Sequence, residues 1–198
     1  MKKQYHFFAM ASRMKHISRW GLMRNTHSES LSEHSHETAV LAHALAILEN
    51  SRFGGDYDPD HAAAMALFHD TTEIITGDLP TPVKYYSAEL REAYRGVENA
   101  AADRLLGMLP EELRPEYGSL LREQGKEASI VKAADKLSAL IKCIEEHRMG
   151  NRDFASAEAS LRGALQSCPL QSVAYFCEHF LPSYSLTLDE QSSPEQDS

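Results

Sequence analysis

Apolar residues recur along this chain at three- and four-residue spacings, and runs that alternate with period two are absent. A strand sends alternate residues to opposite faces, so a chain without such runs has no pattern from which to build a sheet. The pattern predicts an all-α fold, and 198 residues suffice for one domain but not two comfortable ones. A short amphipathic helix is predicted over 5–14, followed by a loop reaching Ser30. Ser32 is read as the N-cap of a helix to about Asn50, with Val40, Leu41, Ala44, Leu45 and Leu48 facing inward. Asp58-Pro59 supplies an N-cap and N1 proline, and the next helix is expected over Ala62 to Thr76, ending at Gly77. The prolines of Gly77-Asp78-Leu79-Pro80-Thr81-Pro82 predict a rigid loop. Ser87 opens a long helix striped by Leu90, Tyr94, Val97, Ala101 and Leu105, and Pro110 and Pro115 flank a shorter one. A second long helix is predicted over 126–149, striped by Ile130, Ala134, Leu137, Ile141 and Ile144, with two last helices over 152–166 and 170–179. Residues 1–188 read as one domain, and 189–198 as an acidic, mobile tail.

Charge and cysteine content narrow the function. Twenty Lys and Arg against 29 Asp and Glu give a formal charge of −9, which argues against coating polymeric nucleic acid. Six cations precede the first acid, Glu29, so a small anionic ligand near the N-terminal stretch stays open. Three cysteines without a Cys-x-x-Cys pair suit a reducing compartment. The apolar stretch Phe7–Ala11 is too short for a signal sequence, and no run approaches the roughly 20 residues of a membrane helix. A cytoplasmic protein without membrane association is expected.

The polar residues that interrupt apolar faces carry the chemistry. His34 lies seven and eleven residues before Leu41 and Leu45, at one end of a buried stripe. Alone it reads as a satisfied core histidine. His69-Asp70 ends the apolar run Met65-Ala66-Leu67-Phe68, where a carboxylate costs several kcal/mol (roughly 2–7) unless it is paired or bound to metal. Glu73 follows at i+4 and i+3 from that pair, so the three can face one pocket; a helix whose polar face begins at residue 69 fits the spacing equally well. Asp135 shares its face with Ala128, Val131, Ser138 and Ala139, small residues that admit a close neighbour, although a solvated Asp beside Lys136 is the simpler reading of Asp135 alone. Together His34, His69, Asp70 and Asp135 describe a site for one divalent transition metal ion, Co²⁺, Mn²⁺, Fe²⁺, Ni²⁺ or Zn²⁺, rather than Ca²⁺ or Mg²⁺. Such an ion lowers the pKa of bound water toward about 7. Arg19, with its planar fork, suits a phosphate group, although a surface arginine in a basic stretch is the simpler reading of Arg19 alone; Lys84 adds a cation near the proline loop or is equally a solvated surface residue.

The ordered set Arg19-Trp20, Ser32-Glu33-His34-Ser35, His69-Asp70-x-x-Glu73, Gly77-Asp78-Leu79-Pro80-Thr81-Pro82-Val83-Lys84 and Asp135 resembles the HD-domain superfamily of metal-dependent phosphohydrolases. Within it the chain is similar to the bacterial 5′-deoxynucleotidase subgroup (YfbR type), from about Phe7 to Leu188. The resemblance implies a single-domain helical HD fold with the metal between helices. It also implies a phosphomonoesterase that converts deoxyribonucleoside 5′-monophosphates to deoxyribonucleosides and phosphate, and a homodimer. Glu73 and Asp78 would be the acid and base, in either assignment. Substrate would meet Arg19, Trp20, His34, Asp70, Asp78, Leu79, Pro80, Thr81 and Lys84, with Trp20 crowding a 2′-hydroxyl. Nothing in the motifs reads a base edge, so base tolerance is expected to be broad. Residues 71–134 hold no histidine, which favours one metal over two. Two other readings remain: an HD phosphohydrolase of triphosphates, cyclic dinucleotides or guanosine tetraphosphate, and a non-catalytic metal- or nucleotide-binding scaffold. Apolar residues around Leu161 and Phe176 are the expected dimer face.

Overall fold

The computed structural model describes residues 2–84 and 86–192, with the side chain of Thr81 outside that description. Eleven α-helices occur among the described residues: α1 Phe7–Ala11, α2 Leu31–Arg52, α3 Pro59–Phe68, α4 Glu73–Thr76, α5 Thr81–Lys84, α6 Ala88–Leu106, α7 Arg114–Leu121, α8 Ala128–Arg148, α9 Ala155–Gln166, α10 Gln171–His179 and α11 Leu188–Ser192. No strand forms among them; an isolated antiparallel bridge joins Ser18 and Ser30 across the loop before α2.

Helices α2, α3 and α8 make the centre, and α9 and α10 close over α8 and α2. Each of the five stripe residues expected on α8, from Ile130 to Ile144, is buried. They meet Leu41, Leu45 and Met65, while Ala42, Ala46, Ala62, Ala66 and Ala134 let the helices approach closely. A fully buried Leu or Met contributes about 1.5–3 kcal/mol, so these interlocked stripes fix the three helices that bear the polar residues. A smaller cluster packs Phe7 against Leu105, Leu106, Leu109 and Leu121, seating α1 on α6 and α7.

Several local expectations change. The N-cap of α2 is Ser30, not Ser32: Ser30 N–H donates to Glu33 Oε2 at 2.7 Å while Ser30 Oγ accepts from Glu33 N–H. That reciprocal box needs an acid three residues after the serine, and Ser32 is followed at that distance by Ser35. Val40 does not face inward; at 58% exposure it shares an outer face with His36 and Ile47. On α6 only the C-terminal half of the stripe, Ala101 and Leu105, is buried. The helix expected over 62–76 is two pieces, because the chain tightens into turns at 69–72 between α3 and α4. Gly77, with φ of +75°, turns the chain out of α4 toward Asp78, a conformation that favours glycine. The proline segment closes into α5, in which Val83 and Lys84 N–H donate to the Pro80 carbonyl. The acidic tail starts as the short helix α11, and 193–198 lie outside the described residues. Around the expected dimer face, Leu161 is partly buried against the core and Phe176 is buried within it. No helix of the described residues is long and apolar enough to cross a membrane.

Candidate metal centre and active site

The polar cluster forms where α2, the 69–72 turn and α8 converge. The capping box starts α2 so that His34 falls one turn in, fully buried. The break after Phe68 lets His69 and Asp70, although adjacent, turn toward the same point: His69 Nε2 lies 3.1 Å from Asp70 Oδ2, and His34 Nε2 lies 3.6 Å from that oxygen. Asp135 Oδ1 approaches His34 Nε2 to 3.1 Å from α8. Ligand atoms of His34, His69 and Asp70 all lie within 4.8 Å of one another. Asp135 adjoins this triad through His34 and sits outside that mutual limit.

The donor set fits a cation. His69 Nδ1 lies 2.7 Å from the Ala66 carbonyl, which can only accept, so Nδ1 carries the hydrogen. In the neutral ring Nε2 then has a lone pair, and that buried atom has no hydrogen-bond partner although the Asp70 carboxylate lies beside it. A lone pair pressed against a carboxylate is repulsive unless a proton or a metal lies between them. Without metal, the proton takes that place. Burial works against a charged His69, yet the charges of the neighbouring Asp70 and Asp135 carboxylates hold the ring up to about 10. Burial likewise opposes ionised Asp70 and Asp135, while the neighbouring imidazoles keep both carboxyls below the usual range. At His34, burial and then Arg19 push the pKa down.

The remaining sequence-predicted residues form two groups. Arg19 and Trp20 are anchored together on Glu29, whose Oε2 accepts from Arg19 Nη1 at 2.8 Å and Trp20 Nε1 at 3.0 Å. Trp20 adopts φ of +61°, its ring lies 5.2 Å from that of buried Phe154 at a tilt of 58°, and its backbone N–H donates to Asp78 Oδ2 at 3.2 Å. Asp78 therefore holds the tryptophan; burial raises its pKa against the nearby Arg19. Glu73 lies between Asp70 and Asp78, with Oε2 buried and unpaired. Burial, then the repulsion of those two carboxylates, pushes Glu73 up to about 9. Leu79 and Pro80 are half-buried in the connection to α5. Lys84 is paired with Glu98 at 2.7 Å. Lys84 also faces a cavity of about 260 Å³ whose lining includes His69, Asp70 and Glu73.

Sequence reasoning missed the opposite wall of that cavity, where Arg95, Asn99, Arg122 and Glu123 stand, because none of them belongs to a spaced motif. It also missed Glu29, for which the absence of any earlier acid among six cations was a usable signal.

A model of YfbR-like 5′-deoxynucleotidases matches residues 6–184. The chain belongs to that family. It is 50% identical over 188 residues to a 5′-deoxynucleotidase of Erwinia tasmaniensis, covering 93% of this chain and 95% of the relative. Among solved structures, an HD-domain phosphohydrolase from Listeria innocua superposes with a TM-score of 0.80 at 27% identity, over 90% of this chain and 88% of the other. A cyanophage S-2L HD phosphohydrolase (DatZ), bound to dA and one catalytic Zn²⁺ ion, shares the fold at TM-score 0.65 and 22% identity, over 91% and 99% of the chains. The all-α HD architecture expected from the motifs is thus the observed one.

Proposed function

We propose that this chain is a cytoplasmic 5′-deoxynucleotidase that uses one divalent transition metal ion to hydrolyse deoxyribonucleoside 5′-monophosphates of any base. The observation that carries the reading is the convergence of His34, His69 and Asp70 on one point, with a buried, partnerless His69 Nε2 and Asp135 alongside. These four residues would hold the ion, which supplies Lewis acidity toward a phosphoryl oxygen and acidifies a water. Family membership favours the monophosphate substrate.

The protein's own groups divide the remaining work. Arg19 stays charged and near Asp70, Asp78 and Asp135, and offers its fork to the phosphate. Hydrolysis forms a bond from water oxygen to phosphorus, breaks the P–O5′ bond, and leaves O5′ in need of a proton. Glu73, whose Oε2 is buried and unpaired, and Asp78 act as the acid and base: one takes up the proton the water gives up and the other supplies the proton to O5′. Asp78, with one oxygen committed to the Trp20 N–H, positions the tryptophan against the sugar. A 2′-hydroxyl then meets the indole edge, a rejection worth about 10²-fold by shape. Lys84, Leu79 and Pro80 border the substrate, and the side chain of Thr81, expected beside them, lies outside the described residues. Residues 1–188 act as the catalytic unit, within a homodimer.

Phosphate release from dAMP by the metal-loaded protein tests this. The expected result is turnover that chelation abolishes and added Co²⁺, Mn²⁺ or Zn²⁺ restores. Turnover unchanged by chelation and by Asp135→Ala would remove the metal reading.

A further inference from the structure

Behind His34, on the side of the ring away from Asp70, lies a buried polar chain that the reaction described above leaves unused. His34 Nδ1 is 3.0 Å from Ser138 Oγ, and the Ser138 hydroxyl is 2.6 Å from Glu37 Oε2. His34 and Ser138 are both fully buried, and Glu37 closes the chain from the next turn of α2. Burial raises the Glu37 pKa to about 7, and in its ionised form the carboxylate only accepts, so Ser138 O–H donates to Glu37 Oε2 and its lone pair receives the hydrogen of His34 Nδ1. That order leaves the lone pair on Nε2, the atom 3.1 Å from Asp135 and 3.6 Å from Asp70. The reverse order would put a hydrogen on Nε2, aimed into the cluster. Thr38 Oγ1, at 3.5 Å from Nε2, is at the outer limit of a hydrogen bond and does not fix the tautomer.

We propose that Ser138 and Glu37 are positioning residues that hold His34 in its metal-binding tautomer and raise its strength as a ligand. A histidine ligand that donates its second N–H to a carboxylate gains both orientation and basicity, here through one interposed hydroxyl. The alternative role for Ser138 is steric: a small residue that lets α2 pack against α8. Alanine preserves that role and removes the relay.

The inference rests on the metal reading of the cluster, and its test separates the two. Co²⁺ affinity is measured by competition with a chromogenic chelator for the full-length wild type, Ser138→Ala, Glu37→Gln and the double variant. Ser138→Ala is expected to weaken Co²⁺ binding about 10–100-fold, and Glu37→Gln to weaken it by less, since glutamine still accepts from the hydroxyl but lacks the charge. Because Glu37 acts through Ser138, adding Glu37→Gln to Ser138→Ala is expected to change the affinity less than twofold. Wild-type Co²⁺ affinity in Ser138→Ala, or full multiplication of the two single effects, would overturn the proposal. A wild type that binds no Co²⁺ would instead overturn the metal reading itself.

Discussion

Replacing Glu146 by alanine strips a buried ion pair outside the metal cluster. Its carboxylate is 1% exposed and accepts from five donors: Lys142 Nζ at 2.5 Å, Thr26 Oγ1 at 2.5 Å, Thr26 N at 2.9 Å, His27 N at 3.2 Å and Asn151 Nδ2 at 2.7 Å. Lys142 also donates to the His27 carbonyl and lies 5.8 Å from the Phe154 ring that Trp20 packs against. The pair thus ties the loop that follows Arg19-Trp20 to α8. Glu146→Ala leaves the Lys142 ammonium buried at 6% exposure without its counter-ion, a loss of about 3–5 kcal/mol. Native stability is only about 5–15 kcal/mol in total, so the urea midpoint should fall steeply at nearly constant m. Adding Lys142→Met removes the stranded charge and should recover the larger part. A deficit of about 1–3 kcal/mol should persist for the unanswered N–H groups of Thr26 and His27. Burial pushes the Glu146 pKa up, but the hydrogen bonds from Lys142, Thr26 and Asn151 outweigh it and hold the carboxyl below the usual range. Its folded pKa therefore lies below the unfolded value near about 4.3, and the stabilisation is full above that pH and lost as pH falls below it. The gap between wild type and Glu146→Ala should narrow on acidification from about pH 4. A loss under about 1 kcal/mol, or a gap constant from about pH 7 to pH 3, would refute this account of the loop.

Glu73→Gln should lower kcat for dAMP by about 10²–10⁴-fold while leaving Co²⁺ affinity within a few-fold, measured by steady-state kinetics and chelator competition. The raised Glu73 pKa has the opposite linkage from Glu146. In the metal-free protein the folded state binds a proton that the unfolded state releases above about pH 4.3, so stability should decline as pH rises toward 9. Denaturation of chelator-treated Glu73→Gln should lack that part of the decline, and an unaltered pH profile would show that Glu73 is not protonated there.

The periodic parts of this fold were legible because one face of each central helix is buried. The α8 stripe from Ile130 to Ile144 follows from spacing alone. Val40 misled because a single β-branched apolar residue on an outer face costs little, and periodicity then depends on one residue more or less. The two-piece helix at 69–72 was hidden because local sequence there is compatible with helix, and the turn is set by His69 bonding back to Ala66 and by buried Thr71 against Met14. At the site, the interruption of apolar faces by His34, His69, Asp70 and Asp135 pointed to the cluster before any contact was known. Glu37 acts through Ser138, Glu29 through Arg19 and Trp20, and Arg122 lines the cavity, each as one acid or base among many, so only the folded chain distinguishes them.

The site of His34, His69, Asp70 and Asp135 is expected to hydrolyse 5′-monophosphates whose sugar lacks a 2′-hydroxyl, with Trp20 supplying the discrimination. The ratio of kcat/KM for dAMP over AMP, measured in the metal-loaded wild type and in Trp20→Ala, tests it most directly. A ratio of at least about 10² in the wild type, falling toward unity in the variant chiefly through faster AMP hydrolysis, is the predicted result. Equal rates on the two nucleotides in the wild type, or a large ratio untouched by Trp20→Ala, would contradict it.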